Sequence, residues 1–258
     1  MDAFGAIAGF RRDRWIIAAS VLALTGMAWL YLWLEAGRMS AMPMGAPVRL
    51  WDMGPLTITF VMWSIMMVGM MLPSASPAIT LYAAIVRKSR PKWGSSLAST
   101  GLFTAGYIAV WTGFSAIATL AQTGLISVGL LTPMLASDSR LLTGGLLAVA
   151  GLYQWFPIKR ACLKKCRAPL SFFVFHWKPG FAGAFRMGAA HGAFCLGCCW
   201  ALMLLLFGLG VMNLLWVALI AGLVLMEKLL PAGHMLGGLT GLAMLAAGVW
   251  QLATAGIL

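Results

Sequence analysis

The chain has 258 residues, of which 62% are hydrophobic and only 9% are charged. A water-soluble domain of this length exposes far more charge, so the composition excludes a soluble enzyme and favours an all-α, polytopic transmembrane helical bundle. Basic residues outnumber acidic ones by 18 to 6. Most of them fall beside apolar segments, so the expected partner is membrane lipid and not nucleic acid.

Apolar segments of membrane-spanning length predict about seven spans. In chain order they cover residues 14–34, 55–86, 97–122, 140–157, 187–210, 213–229 and 235–256. Pro73 and Pro77 are expected to interrupt the second span, because proline breaks helices. Residues 1–258 are predicted to form one integral membrane domain, with a methionine-rich outer loop at 35–54 and a basic inner loop at 158–186.

Lysine and arginine predict the orientation, because loops on the cytoplasmic side of a membrane carry an excess of both. On the predicted inner side lie Arg11, Arg12, Arg14, Arg87, Lys88, Arg90, Lys92, Lys159, Arg160, Lys164, Lys165, Arg167, Lys178, Arg186 and Lys228. Only Arg38, Arg49 and Arg140 fall on the opposite side. We therefore expect a multi-pass protein of the bacterial inner (cytoplasmic) membrane, with its N-terminus in the cytoplasm and its C-terminus outside.

Methionines are concentrated in the outer loop and in the second span. Met39, Met42 and Met44 lie in the loop, while Met66 and Met70 share one face of the predicted helix. Thioethers are soft ligands that suit Cu(I) and stay usable in an oxidising compartment. These residues are candidates for a Cu(I) relay. The alternative is that methionine fills gaps in transmembrane packing, which its flexible side chain does well.

The predicted inner loop contains two cysteines, Cys162 and Cys166, in the sequence KRACLKKCR. Their four-residue spacing places both on one face of a short interfacial helix. The cytoplasm keeps thiols reduced, so free thiols that can bind a metal are expected. The alternative is a basic amphipathic helix on anionic lipid, in which the cysteines serve as small hydrophobes.

A histidine and three cysteines occur within nine residues of the fifth span: His191, Cys195, Cys198 and Cys199. In a helix the first three share one face, at steps suited to chelation. One helix provides only part of a metal site, so further ligands must come from another segment. Three glycines would let that segment approach closely: Gly188, Gly192 and Gly197. The alternative is that these cysteines and this histidine are ordinary buried residues.

Glu227 is an acidic residue near the end of the sixth predicted span. A carboxylate at this depth indicates either a functional group, such as a proton relay, or a buried ion pair. Arg186 and His191 are the expected partners, because the neighbouring Lys228 points to a different side of the helix.

Four ordered pieces of the chain, from about Met62 to Pro231, resemble a bacterial family of predicted metal-binding integral membrane proteins, domain of unknown function 2182. The pieces are MWSIMMVGMMLPSASP, GLYQWFPIKRACLKKCRAP, WKPGFAGAFRMGAAHGAFCLGCCWALMLLLFGLGVMN and LMEKLLP. The resemblance implies a membrane metal site. The candidate functional residues that it implies are Cys162, Cys166, His191, Cys195, Cys198, Cys199 and Glu227.

The favoured hypothesis is a membrane protein that captures, transfers or stores Cu(I) at the cytoplasmic face, with zinc and iron as alternative metals. Its partner would be a soluble metal chaperone or another membrane subunit. A metal-dependent membrane enzyme or redox-complex subunit is the second hypothesis, and a scaffold with structural cysteines is the third. Whether the chain is an enzyme, and which residues would be catalytic, stays open. No haem is expected, because three scattered histidines supply no paired axial ligands.

Overall fold

The computed structural model describes residues 3–40, 52–89, 93–131 and 139–255. The regular elements of these residues are all α-helices, which confirms the all-α class. The helices are α1 (Ala3–Ser40), α2 (Met53–Ser89), α3 (Trp93–Ser127), α4 (Arg140–Tyr153), α5 (Pro157–Arg167), α6 (Pro169–His176), α7 (Gly180–Leu209), α8 (Leu214–Leu229) and α9 (Gly233–Thr254).

Five of these helices are long and apolar enough to cross a membrane: α1, α2, α3, α7 and α9. The pair α4 and α5, bent by 65°, passes the same test together and raises the number to six. Helix α8 covers the predicted span at 213–229, but its 16 residues fall short of the roughly 20 that a span needs. The structure therefore supports five or six of the seven predicted spans by length and composition.

The predicted inner loop at 158–186 is mostly helical, because α5, α6 and the first turns of α7 occupy it. Helix α5 is the short basic helix expected around the cysteine pair. It begins at Pro157, whose ring and missing N–H favour the first turn of a helix and end the one before it. This proline separates α5 from α4.

Helix α2 runs without a break through Pro73 and Pro77, so the predicted interruption is wrong. Pro77 has no N–H to give to the carbonyl of Pro73, which would leave that oxygen without its helical partner. The hydroxyl of Ser76 donates to this oxygen at 2.8 Å. A serine beside each proline thus helps to keep the helix intact in apolar surroundings.

Helix α7 lies at the centre of the bundle, and α3 packs against it very closely. A Cβ atom at Gly188 would collide with the carbonyl oxygen of Phe103, so only glycine allows this approach. The contact confirms the expectation that another segment approaches α7 at its glycines.

Helices α4 and α8 run antiparallel to α7 and end part-way along it. Thr143 near the start of α4 donates to the carbonyl of Gly208, and Tyr153 at its end donates to that of Gly197. The last turn of α8 reaches Cys195 through Lys228. Both helices therefore end at the level of Cys195 to Gly197, where α5 crosses α7.

Candidate metal centre

Four thiols from two helices meet where α5 crosses α7. Cys195, Cys198 and Cys199 are buried on α7, and the half-buried Cys166 faces them from α5. The thiol of Cys198 interacts with those of Cys166, Cys195 and Cys199. All five cysteines of the chain are free thiols. We call this set of four residues the thiol cluster.

Two thiols of the cluster are turned toward the backbone of their own helix. Cys198 Sγ donates to the carbonyl oxygen of Cys195 at 3.0 Å, and Cys199 Sγ donates to the same oxygen at 2.9 Å. In an apolar interior such bonds satisfy polar hydrogens that would otherwise lack partners. They also keep the sulfur atoms from pointing to one common position.

Cys195 has polar partners from two other helices. Lys228 Nζ on α8 donates to Cys195 Sγ at 2.9 Å, and the Tyr107 hydroxyl on α3 lies 3.0 Å from the same sulfur. Lys228 also donates to Ser74 Oγ at 2.9 Å, and Tyr107 donates to the carbonyl of Met71 at 3.1 Å. Four helices therefore share a polar centre built around one thiol.

One methionine of α2 reaches the thiol cluster. Met71 Sδ lies 3.9 Å from Cys199 Sγ, and its side chain is fully buried. Of the predicted relay residues, Met66 and Met70 are buried in the core on the same helix, and Met39 is half-buried near the end of α1.

The other two predicted relay residues, Met42 and Met44, lie outside the described residues. The relay through the outer loop therefore stays a prediction.

His191 lies one helical turn from Cys195 in an aromatic pocket. Its ring centroid is 6.1 Å from that of Phe103, 6.0 Å from Tyr107 and 5.4 Å from Phe172. The side chain is buried, and its Nδ1 has no hydrogen-bond partner among the described residues. A buried nitrogen without a partner is uncommon and leaves a lone pair or a proton available.

Cys162 packs beside the cluster rather than inside it. Its Sγ faces Gly197 of α7 and would lie only 2.8 Å from a Cβ atom there. Gly197 is thus the second predicted glycine that permits a close approach. Cys162 and Cys166 lie on the same helix, but it is Cys166 whose sulfur interacts with Cys198.

Glu227 forms a buried ion pair, and its partner is Lys159 of α5 at 2.7 Å, not Arg186 or His191. Lys159 also donates to Gln154 Oε1. The second carboxylate oxygen of Glu227 and Nε2 of Gln154 have no hydrogen-bond partner among the described residues.

Comparison with known proteins identifies the family. A family model described as PpoB2, a copper chaperone, matches residues 60–251, which is most of the chain. The chain belongs to the PpoB2 copper chaperone family. No curated protein and no solved structure matches it. The match supports a copper-related family, under this description instead of the domain label expected from the sequence motifs.

The donor chemistry of this PpoB2 chain suits Cu(I). Within the described part of the chain, no three His, Cys, Asp or Glu side chains stand in a geometry that could hold a metal ion. The two thiol bonds to the Cys195 carbonyl account for this, because they draw the sulfurs apart. Thiolates and thioethers are nevertheless ligands that select Cu(I), and both types meet here. The unpartnered His191 Nδ1 adds an imidazole one turn away.

Three residues of the polar centre were not among the sequence candidates: Met71, Tyr107 and Lys228. Lys228 was assigned to the inner loops as an orientation signal, but it is buried in the bundle, as is Lys159. The available signal was a lysine directly after Glu227 within the apolar run LVLMEKLL. A charge in such a run usually faces the bundle interior.

Proposed function

We propose that this protein is an integral membrane copper chaperone that holds Cu(I) at the thiol cluster and passes it to a partner. The proposal joins membership of a copper chaperone family to helices that are long and apolar enough to cross a membrane. The single observation that carries the site assignment is the interaction of Cys198 with three other thiols from two helices.

Cu(I) binding requires a small rearrangement within α7. Cys198 and Cys199 must give up their bonds to the Cys195 carbonyl, which rotation about χ1 achieves without moving the backbone. Each bond contributes only about 1 kcal/mol net, so Cu(I)–thiolate bonds readily offset the loss. Cys166 then supplies a ligand from α5, and Met71 lies close enough to Cys199 to add a thioether.

A chaperone must also release its cargo, and the mixture of ligands favours this. Thiolates bind Cu(I) tightly, whereas thioethers bind it more weakly. Met66 and Met70 extend from the cluster along α2 and provide weak ligands in the core. We assign these residues to transfer, with the outer methionines as the capture step. The partner is a soluble metal chaperone or another membrane subunit.

The test is Cu(I) binding by the full chain, purified in mild detergent without oxygen. We expect copper to remain bound after desalting in the wild type and to be lost in the Cys195→Ala/Cys198→Ala variant. The Cys162→Ala variant is the matched control, since its sulfur faces Gly197, and it should keep the metal. Copper content and a count of reactive thiols are the measurements.

Two results would contradict the assignment. Equal copper content in the wild type and the double variant would exclude the thiol cluster. Preferential binding of zinc or iron over copper would exclude the transfer scheme, because thioethers have little affinity for either metal.

A further inference from the structure

Lys228 places an amino group inside the bundle, next to the proposed copper ligands. Its side chain is 7% exposed, and its Nζ is held between Cys195 Sγ and Ser74 Oγ, each at 2.9 Å. A buried cation is costly unless an anion compensates its charge. The anion beside Lys228 therefore needs to be identified.

The nearest carboxylate along the chain does not play this part. Glu227 pairs with Lys159 at 2.7 Å and faces α5. Of the two hydrogen-bond acceptors of Lys228, serine stays neutral, so Cys195 is the one that can carry a negative charge. The ammonium is thus paired with a candidate copper ligand.

We infer that Lys228 is the counter-charge of the Cu(I)–thiolate complex and allows two thiolates to bind one ion in an apolar site. Cu(I) with two thiolates carries one net negative charge, which is costly to bury alone. A fixed ammonium in contact with one of these sulfurs makes the site neutral. This inference rests on the proposed function and adds to it the charge type of the complex and the residue that sets it.

The expected effect follows from the distance between the charges. An ammonium in direct contact with a thiolate attracts it strongly even at an effective dielectric constant of about 20. The Lys228→Met variant should therefore bind Cu(I) at least about tenfold more weakly than the wild type. The Lys228→Arg variant, which retains the charge, should keep most of the affinity.

The opposite model is that Lys228 competes with copper for Cys195. In that case its removal would free the sulfur and strengthen Cu(I) binding. The two models predict opposite signs for the same measurement, so an unchanged or increased affinity in Lys228→Met overturns the inference.

The experiment is an anaerobic titration of the full chain in detergent with Cu(I), against a chromophoric Cu(I) chelator. The ultraviolet thiolate-to-copper absorption per bound ion provides a second readout. It should fall in Lys228→Met if fewer thiolates bind. The double variant Lys159→Met/Glu227→Gln removes another buried lysine together with its own partner and should bind Cu(I) like the wild type.

Folding of each variant is checked by its elution as a monodisperse species and its thermal midpoint. Should Lys228→Met not fold, Lys228→Gln keeps donors for Ser74 and Cys195 without the charge, and the same loss of affinity is expected. A wild type that binds no Cu(I) would refute the proposed function. A wild type that binds Cu(I) as well as a folded, uncharged Lys228 variant does would refute only this inference.

Discussion

Two consecutive residues of α8 take part in separate charge systems. Side chains of successive helical residues point about 100° apart. Glu227 therefore faces α5 and pairs with Lys159, whereas Lys228 faces α2 and α7, where Ser74 and Cys195 lie. This separation allows the ion pair to fix the bundle while Lys228 stays available to the thiol cluster.

The ion pair should be important for stability as a pair and not as two independent charges. Removing one partner leaves an uncompensated buried charge, at a cost of about 3–5 kcal/mol. We expect Lys159→Met to lower the free energy of unfolding by this amount. The double variant Lys159→Met/Glu227→Gln should recover a large part of the loss. Unfolding in mixed micelles titrated with SDS measures both.

Arg160 provides the control for this prediction, because it is the exposed neighbour of Lys159 on α5. Arg160→Met should change the free energy of unfolding by no more than about 0.5 kcal/mol. If Lys159→Met behaved like Arg160→Met, the ion pair would contribute little to the folded bundle.

At the level of helices, the packing of α3 against α7 depends on the absence of one side chain. In a membrane, helices associate through close backbone contact at small residues. Gly188 provides such a contact, since a Cβ there would meet the carbonyl oxygen of Phe103. The backbone cannot yield as a flexible side chain would.

We expect Gly188→Ala to destabilise the protein by about 1–3 kcal/mol, as overpacking does in cores. Gly113→Ala on α3 is the matched control, because nothing lies within 4 Å of a Cβ atom at that position. The control should be neutral or more stable by up to about 1 kcal/mol, from helix propensity alone. Thermal midpoints in detergent compare the two, and equal midpoints would argue against close packing at Gly188.

Helices could be predicted from the sequence because length and hydropathy are local properties. The span predictions fall on helices, and α5 appears where the cysteine spacing placed it. The predicted interruption of α2 failed because Ser76 replaces the hydrogen bond that Pro77 removes. Recognising this required the side-chain hydrogen bond and not only the presence of proline.

The candidate site could be predicted only in part, for the same reason. The cysteines and His191 were visible because several soft ligands lie close together in the sequence. Met71, Tyr107 and Lys228 come from three other helices, and single residues in apolar runs carry no local signal for where they meet. Charge alone even misplaced Lys159 and Lys228, because their partners lie about 70 and 30 residues away in the chain.

For the whole molecule, the unequal lengths of the helices determine the depth of the thiol cluster. Helix α4 has 14 residues and α7 has 30, which correspond to about 21 Å and 45 Å at 1.5 Å per residue. Since α4 and α8 both end near Cys195, the cluster lies where the short helices stop and the basic α5 begins. The charge pattern assigns that end of the bundle to the cytoplasm.

This orientation predicts which connections lie on each side of the membrane. Reporter fusions after residues 91 and 178 should give a fluorescent protein that folds in the cytoplasm. Fusions after residues 135 and 211 should give active alkaline phosphatase outside. The fusion after residue 178 is decisive, because α4 is shorter than the hydrocarbon core of about 30 Å. Phosphatase activity there would mean that α4 does not cross, and the thiol cluster would then lose its predicted cytoplasmic side.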